Sequence, residues 1–307
     1  MMKSRFNSAG RVGVAASSVL ALGLLAGCGS GSGTEGGGGG GEGEASTLEQ
    51  IKEDGTITVG IAGEAPYSFL DGGELKGGSV AIAKEAFGNM GIENVEAELV
   101  DWNSLIPGLN AGRFDAISAG MSILPERCEQ ADFSLPTIMY TTALMVEEGN
   151  PKGLSDLQSV VEADDVKLAV LAGGIEAGYA EKMGISNVTS VPDAQTGMDT
   201  VANGRADAFA MTAISLNYMA DNNPNVPVEV TQAFTAVIDG EEQIGSGATV
   251  FRPGDDELRE AYNKELEKSV LTDKETYLGV VGEYGFTAEN LPPKDLTTEE
   301  LCSGEVG

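Results

Sequence analysis

The chain contains no histidine, which removes the most frequent general base near neutral pH and the commonest metal ligand. With only three cysteines beside that gap, no Ser-His pair can be assembled and the sequence offers no His/Cys metal constellation. Basic residues are scarce as well: 18 Lys and Arg face 48 Asp and Glu, a formal charge of −30. A nucleic-acid partner wants a basic face, and so does an anionic membrane surface. Both are excluded. Acidity on this scale means a solvated exterior, suited to a salty habitat. Beyond residue 28 no apolar run is long enough to span a bilayer.

What is present begins with a leader. Lys3, Arg5 and Arg11 precede an apolar run from Val12 to Leu25, and Leu25-Ala26-Gly27-Cys28 follows. The run is short and rich in small residues, as in a signal peptide. A cysteine after Leu-Ala-Gly resembles a bacterial lipobox, so residues 1–28 read as a lipoprotein signal with Cys28 acylated. The protein is then expected outside the cytoplasm, lipid-anchored to the outer face of the cell membrane and otherwise soluble. Losing the leader removes three positive charges and deepens the acidity. Two thiols remain, Cys128 and Cys302, and outside the cytoplasm thiols most often pair. A Cys128–Cys302 disulfide is predicted. Residues 29–46 (GSGSGTEGGGGGGEGEAS) read as a flexible tether spanning about 20–25 Å.

From Thr47 the pattern alternates between strand and helix. Strands are predicted at Thr56–Ala62, Val95–Val100, Asp115–Ala119, Thr141–Glu147, Val166–Leu171, Asn187–Val191 and Asp207–Met211. Helices are predicted around Val80–Met90 and at Ser104–Ala111, Leu154–Ala163, Glu176–Met183 and Ala194–Ala202, with a last one from Leu258 to Val270. Such alternation makes an α/β fold with mostly parallel sheets. The stretch Gly112–Pro136 organises it: a helix stop, a buried strand, a tight turn at Ala119-Gly120, then Ser122, Pro125 and Arg127. Amides, a hydroxyl and a guanidinium thus gather at a strand's carboxyl end, where small ligands bind in open α/β sheets. Gly112-Arg-Phe-Asp-Ala is echoed by Gly204-Arg-Ala-Asp-Ala, each between a short helix and a buried strand. Two copies of one unit suggest two similar lobes with a cleft between.

These residues resemble the extracytoplasmic solute-binding proteins of ABC importers, amino-acid type (family 3), from Thr47 to Phe286. The motifs are Glu64-Ala-Pro-Tyr-Ser-Phe, Trp102 with Leu105-Ile-Pro-Gly-Leu, the organising segment and Gly204-Arg-Ala-Asp-Ala. The Glu-x-Pro-aromatic turn and Pro125-Glu-Arg-Cys look most like the ectoine/hydroxyectoine-binding members. The resemblance implies a two-lobed periplasmic-binding-protein fold of type II. Lobe 1 would be 47–142 and 246–307 and lobe 2 143–245, with crossovers near Tyr140–Val146 and Glu242–Gly247.

The resemblance also carries a ligand set. Arg127, otherwise a helix-surface arginine, would grip a carboxylate with its fork, each shielded bond contributing about 1.5–3 kcal/mol. Trp102 would be an aromatic wall rather than a core tryptophan, and Tyr67 a second one rather than a packed turn tyrosine. Gly120 and Ser122 would lie beside Arg127. On lobe 2, Gly174 would present bare amides at a helix start, while Ile175 stands where relatives often have a hydroxyl. Ser122 stands where ectoine binders have phenylalanine, implying a roomier wall there. Glu64 would pair with a delocalised cation. Thr212 replaces the aspartate that usually holds an α-ammonium, which disfavours ordinary α-amino acids. The expected function is a monomeric binding protein that closes on a small zwitterion and delivers it to ABC permease subunits, with no cofactor or metal. A polar or cationic amino acid is the alternative ligand. A cyclohexadienyl-dehydratase-like enzyme on the same fold would have only Glu64 as its acid or base.

Overall fold

Ser46 opens the folded chain by capping the helix Thr47–Asp54, its side chain and that of Glu49 exchanging bonds with each other's backbone amides. The computed structural model describes residues 46–163 and 165–304; the leader, Cys28 and nearly all of the glycine-rich stretch lie outside them. Among the described residues no helix is long and apolar enough to cross a membrane.

Two sheets form the frame. In the first, the strands run in the order Asn94–Leu99, Thr56–Ile61, Ala116–Ser122, Gly245–Phe251, Asp132–Phe133, with Ile138–Tyr140 also on Gly245–Phe251. In the second the order is Val188–Val191, Leu168–Leu171, Ala208–Thr212, Thr142–Glu147, Val228–Val230. We call these lobes 1 and 2. Each sheet is parallel over three strands and antiparallel over the rest, so "mostly parallel" overstates it. The antiparallel strands include those on either side of the crossovers, Ile138–Tyr140, Thr142–Glu147 and Gly245–Phe251. The chain leaves lobe 1 after Tyr140, joins lobe 2 at Thr142, and returns to lobe 1 at Gly245.

The sequence echo is a structural one. Gly112 (φ 70°) and Gly204 (φ 64°) each end a helix in the left-handed region, which an L side chain enters only with strain. Arg113 N–H then bonds Gly108 O at 3.0 Å, and Arg205 N–H bonds Thr200 O at 2.9 Å. Asp115 accepts from Thr58 N–H at 2.9 Å and Asp207 from Lys167 N–H at 2.8 Å. Each aspartate fastens the start of its own strand to a parallel neighbour. Backbone bonds from Asp115 N–H to Thr58 O and from Asp207 N–H to Lys167 O, both 2.8 Å, complete the pair.

Two expectations need correction. The turn at Ala119-Gly120 does not exist: the strand runs on to Ser122 and absorbs Gly120 (φ 63°) where its register on Gly245–Phe251 shifts. A glycine there lets the strand bulge while staying paired. Nor is the helix over 256–269 the last, for Lys274–Val281 and Thr298–Ser303 follow. The latter carries Cys302, which is bonded to Cys128 with Cα atoms 5.7 Å apart. The unpredicted helix Ala213–Asn222 packs beside strand Ala208–Thr212 in lobe 2.

Candidate functional site

The turn Glu64–Phe69 leaves the first strand of lobe 1 and is held on every side. Ser68 N–H bonds Glu64 O at 2.9 Å, Gly78 N–H bonds Pro66 O at 2.8 Å and Ser79 N–H bonds Tyr67 O at 3.0 Å. The last two tie the turn to the start of helix Gly78–Asn89. Tyr67 is buried, its ring edge-on to Tyr140 at 6.3 Å and to Phe286 at 5.5 Å. Gly120 makes room for that ring: a Cβ there would stand 2.5 Å from it. The bulge in the strand and the aromatic wall therefore require one another.

Glu64 follows the same strand and is 9 % exposed. Its Oε1 accepts a hydrogen bond from Ser215 Oγ of lobe 2 at 2.8 Å. Burial pushes its carboxyl up to about 8, the Ser215 bond opposes that, and the nearby Glu176 charge adds to it.

Arg127 rises on the short helix Pro125–Cys128 and is 8 % exposed. It donates to Ser122 O at 3.0 Å and, across the cleft, to Gly173 O at 2.8 Å. Trp102 Nε1 donates to that same Gly173 oxygen at 3.0 Å, and the guanidinium lies 5.6 Å from the Trp102 ring. One carbonyl of lobe 2 thus accepts from two side chains of lobe 1. Burial lowers the Arg127 pKa, though an arginine stays charged regardless.

The wall from lobe 2 differs from expectation. Gly174 opens the helix Ile175–Lys182 without a side-chain cap. The carboxylate over that helix start belongs to the chain itself: Glu176, buried and interacting with its own amide, with Thr142 and with Arg127. Burial raises its carboxyl to about 7. The amides expected to take a solute carboxylate are not bare: Gly174 N–H bonds Leu171 O at 3.0 Å, and the Glu176 amide interacts with its own carboxylate. Thr212 ends its strand with its hydroxyl toward Tyr67, and neither hydroxyl completes a bond of normal geometry.

All the singled-out residues except Arg127 border one small cavity of about 30 Å³, room for roughly one water. Arg127 stands behind it, both of its bonded nitrogens occupied by carbonyls. The roomier wall at Ser122 is not there, because the Tyr140 ring, beside Ser122, borders the cavity too. A chamber of about 700 Å³ adjoins through Glu64, Trp102, Leu171 and Met211. Three contributors escaped the sequence reading: Glu176, Tyr140 and Ser215. An acid in a first helical turn suits the dipole without any site. Tyr140 reads as part of a crossover strand, and Ser215 sits on an unpredicted helix. Only the adjacency of Glu176 to Gly174-Ile175 offered a signal.

Two lobes joined by two crossovers, meeting over a buried site of mixed charge, have the architecture of a solute-binding protein. The chain belongs to the bacterial extracellular solute-binding proteins, family 3, whose model matches residues 57–277. It is similar to a probable amino-acid ABC transporter periplasmic-binding protein of Sinorhizobium fredii, at 36 % identity over 84 % of this chain and 87 % of that one. Among solved structures it is similar to EhuB in complex with hydroxyectoine, at 32 % identity and a TM-score of 0.74, covering 83 % of this chain and 97 % of the other. An ancestral arginine-binding protein bound to arginine aligns at 26 % identity and a TM-score of 0.66, over 75 % and 98 %. Proteins of this family are extracytoplasmic and pass a small solute to the permease subunits of ABC importers.

Proposed function

We propose that this protein captures a compact zwitterion, with ectoine or hydroxyectoine favoured, and that Cys28 carries the lipid that holds it at the membrane. The observation that carries the reading is the grouping of Glu64, the rings of Tyr67 and Tyr140, and Trp102 around one buried cavity, with Arg127 directly behind. A delocalised cation would lie against Glu64 between aromatic faces, whose attraction adds about 0.5–2 kcal/mol. Its carboxylate would take the Arg127 nitrogen that Gly173 O occupies in the shut cleft. The cavity is far smaller than such a solute, so the lobes part to admit it, and closure at the crossovers follows. Similarity to EhuB supports this choice. So does Thr212, whose hydroxyl carries no charge to balance a primary ammonium.

A second reading has its own support. Glu176 is a further buried carboxylate, on lobe 2, so two acids stand beside one guanidinium, and each could give up its proton to a cation placed against it. That suits a solute with two cationic groups, such as a cationic amino acid. Binding is the function proposed in either case, in line with the substrate-binding relatives. Calorimetric titration with ectoine, hydroxyectoine and L-arginine separates the readings. Tight binding of arginine with none of ectoine would replace the first by the second. Loss of membrane association in Cys28→Ala tests the anchor.

A further inference from the structure

We propose that Ser215 is a positioning residue, which couples closure of the lobes to solute capture by aiming the Glu64 carboxylate across the cleft. The inference rests on Glu64 being the partner of the solute's cation. Ser215 lies in the first turn of helix Ala213–Asn222 and is fully buried. Its hydroxyl plays no part in capping that helix, whose cap residue Thr212 makes no side-chain bond. It donates instead to Glu64 Oε1 of the other lobe at 2.8 Å.

The face around it is built for the meeting. Tyr218, one turn along the same helix, packs on Phe69 of lobe 1 at 5.9 Å, and Phe69 closes the turn that Glu64 opens. Helix and turn therefore meet at two points, one apolar and one polar. The other titratable groups around Glu64 are Glu176 of lobe 2 and Tyr67 of lobe 1. Glu176 repels it, and the Tyr67 hydroxyl is directed at Thr212. Ser215 is thus the donor that fixes which way the carboxylate points, and it does so only when the lobes are together. A hydrogen bond to the charged form also favours that form, so Ser215 offsets part of the upward push that burial gives the Glu64 carboxyl when the lobes close.

The experiment is a double-mutant cycle of Ser215→Ala and Glu64→Ala on the full chain, with ectoine and L-arginine as probes. A second readout is the emission of Trp102, the only tryptophan, whose indole bonds across the cleft. We expect Ser215→Ala to weaken whichever probe binds by about tenfold, as for a bond to a charged group, and to change nothing in the Glu64→Ala background. In solute-free protein it should move the pH midpoint of the emission upward. Equal losses in both backgrounds, or an unmoved midpoint, would overturn the assignment. If the wild type binds neither probe, the ligand reading fails while the midpoint still tests Ser215.

Discussion

Closing the cleft on Glu64 takes up a proton, and this makes pH a handle on closure. With the lobes apart, water returns the carboxyl to its ordinary value near 4.5; with them together, burial holds it at about 8. The group is protonated more readily in the closed form, so closing is favoured at low pH and opposed as pH rises through 8. Each unit corresponds to about 1.4 kcal/mol. The span from 4.5 to about 8 therefore amounts to roughly 5 kcal/mol, accumulated tenfold per pH unit and complete above pH 8. Glu176, raised to about 7, adds a second proton below pH 7 and steepens the dependence there. Between pH 5.5 and 7.5 the closed fraction of solute-free protein should thus fall by at least about 100-fold relative to the open one. Trp102 emission, followed from pH 5 to 9, reads this directly. Glu64→Gln should abolish the limb between pH 7 and 8. A solute cation held against the carboxylate replaces the proton, so saturating solute should flatten the whole curve. An emission profile flat in the solute-free wild type, or an upper limb that survives in Glu64→Gln, would refute the reasoning.

Other outcomes follow from the same contacts. Arg127→Ala removes the donor to Ser122 O and Gly173 O and should reduce solute affinity by at least 100-fold in calorimetry. Arg127→Lys should recover little of it, since an ammonium lacks the planar fork that holds Ser122 O and a carboxylate in fixed directions. Gly120→Ala puts a methyl 2.5 Å from the Tyr67 ring at a left-handed φ, and should cost about 2–4 kcal/mol by denaturant unfolding. Cys302→Ser frees the last helix and should cost about 2–5 kcal/mol; an unchanged unfolding midpoint would show that the helix holds without its bond. Asp115→Ala and Asp207→Ala each lose a strand fastening and should destabilise by similar amounts, about 1–3 kcal/mol.

Much of the frame could be read in advance because it rests on local rules. Glycines that stop helices, buried runs that make strands and the repeated Gly-Arg-x-Asp-Ala unit all act within a few residues. What failed was whatever depends on distant parts meeting. The bulge at Gly120 exists because Tyr67 lies against it, and Tyr67 is held there by the helix beginning at Gly78. Nothing near Gly120 in the chain shows that. Glu176 looks like an ordinary acid in a first turn until Thr142 and Arg127 close around it. Ser215 is an unremarked serine until Glu64 meets it from the other lobe. The residues that carry the family resemblance were legible; the partners that orient them were not.

The place of Gly245–Phe251 bears on the order in which the molecule is made. That strand lies between Ala116–Ser122 and Asp132–Phe133 in the first sheet, not at its edge. All the strands of the second sheet fall within residues 142–230. A chain emerging from its N-terminus can therefore complete lobe 2 while lobe 1 still lacks an interior strand. The helix pinned at Cys302 arrives later again, and it is pinned to the residue that follows Arg127. Half of the cleft is thus finished early, and the half that holds the arginine is sealed by a helix that appears after every strand of both sheets.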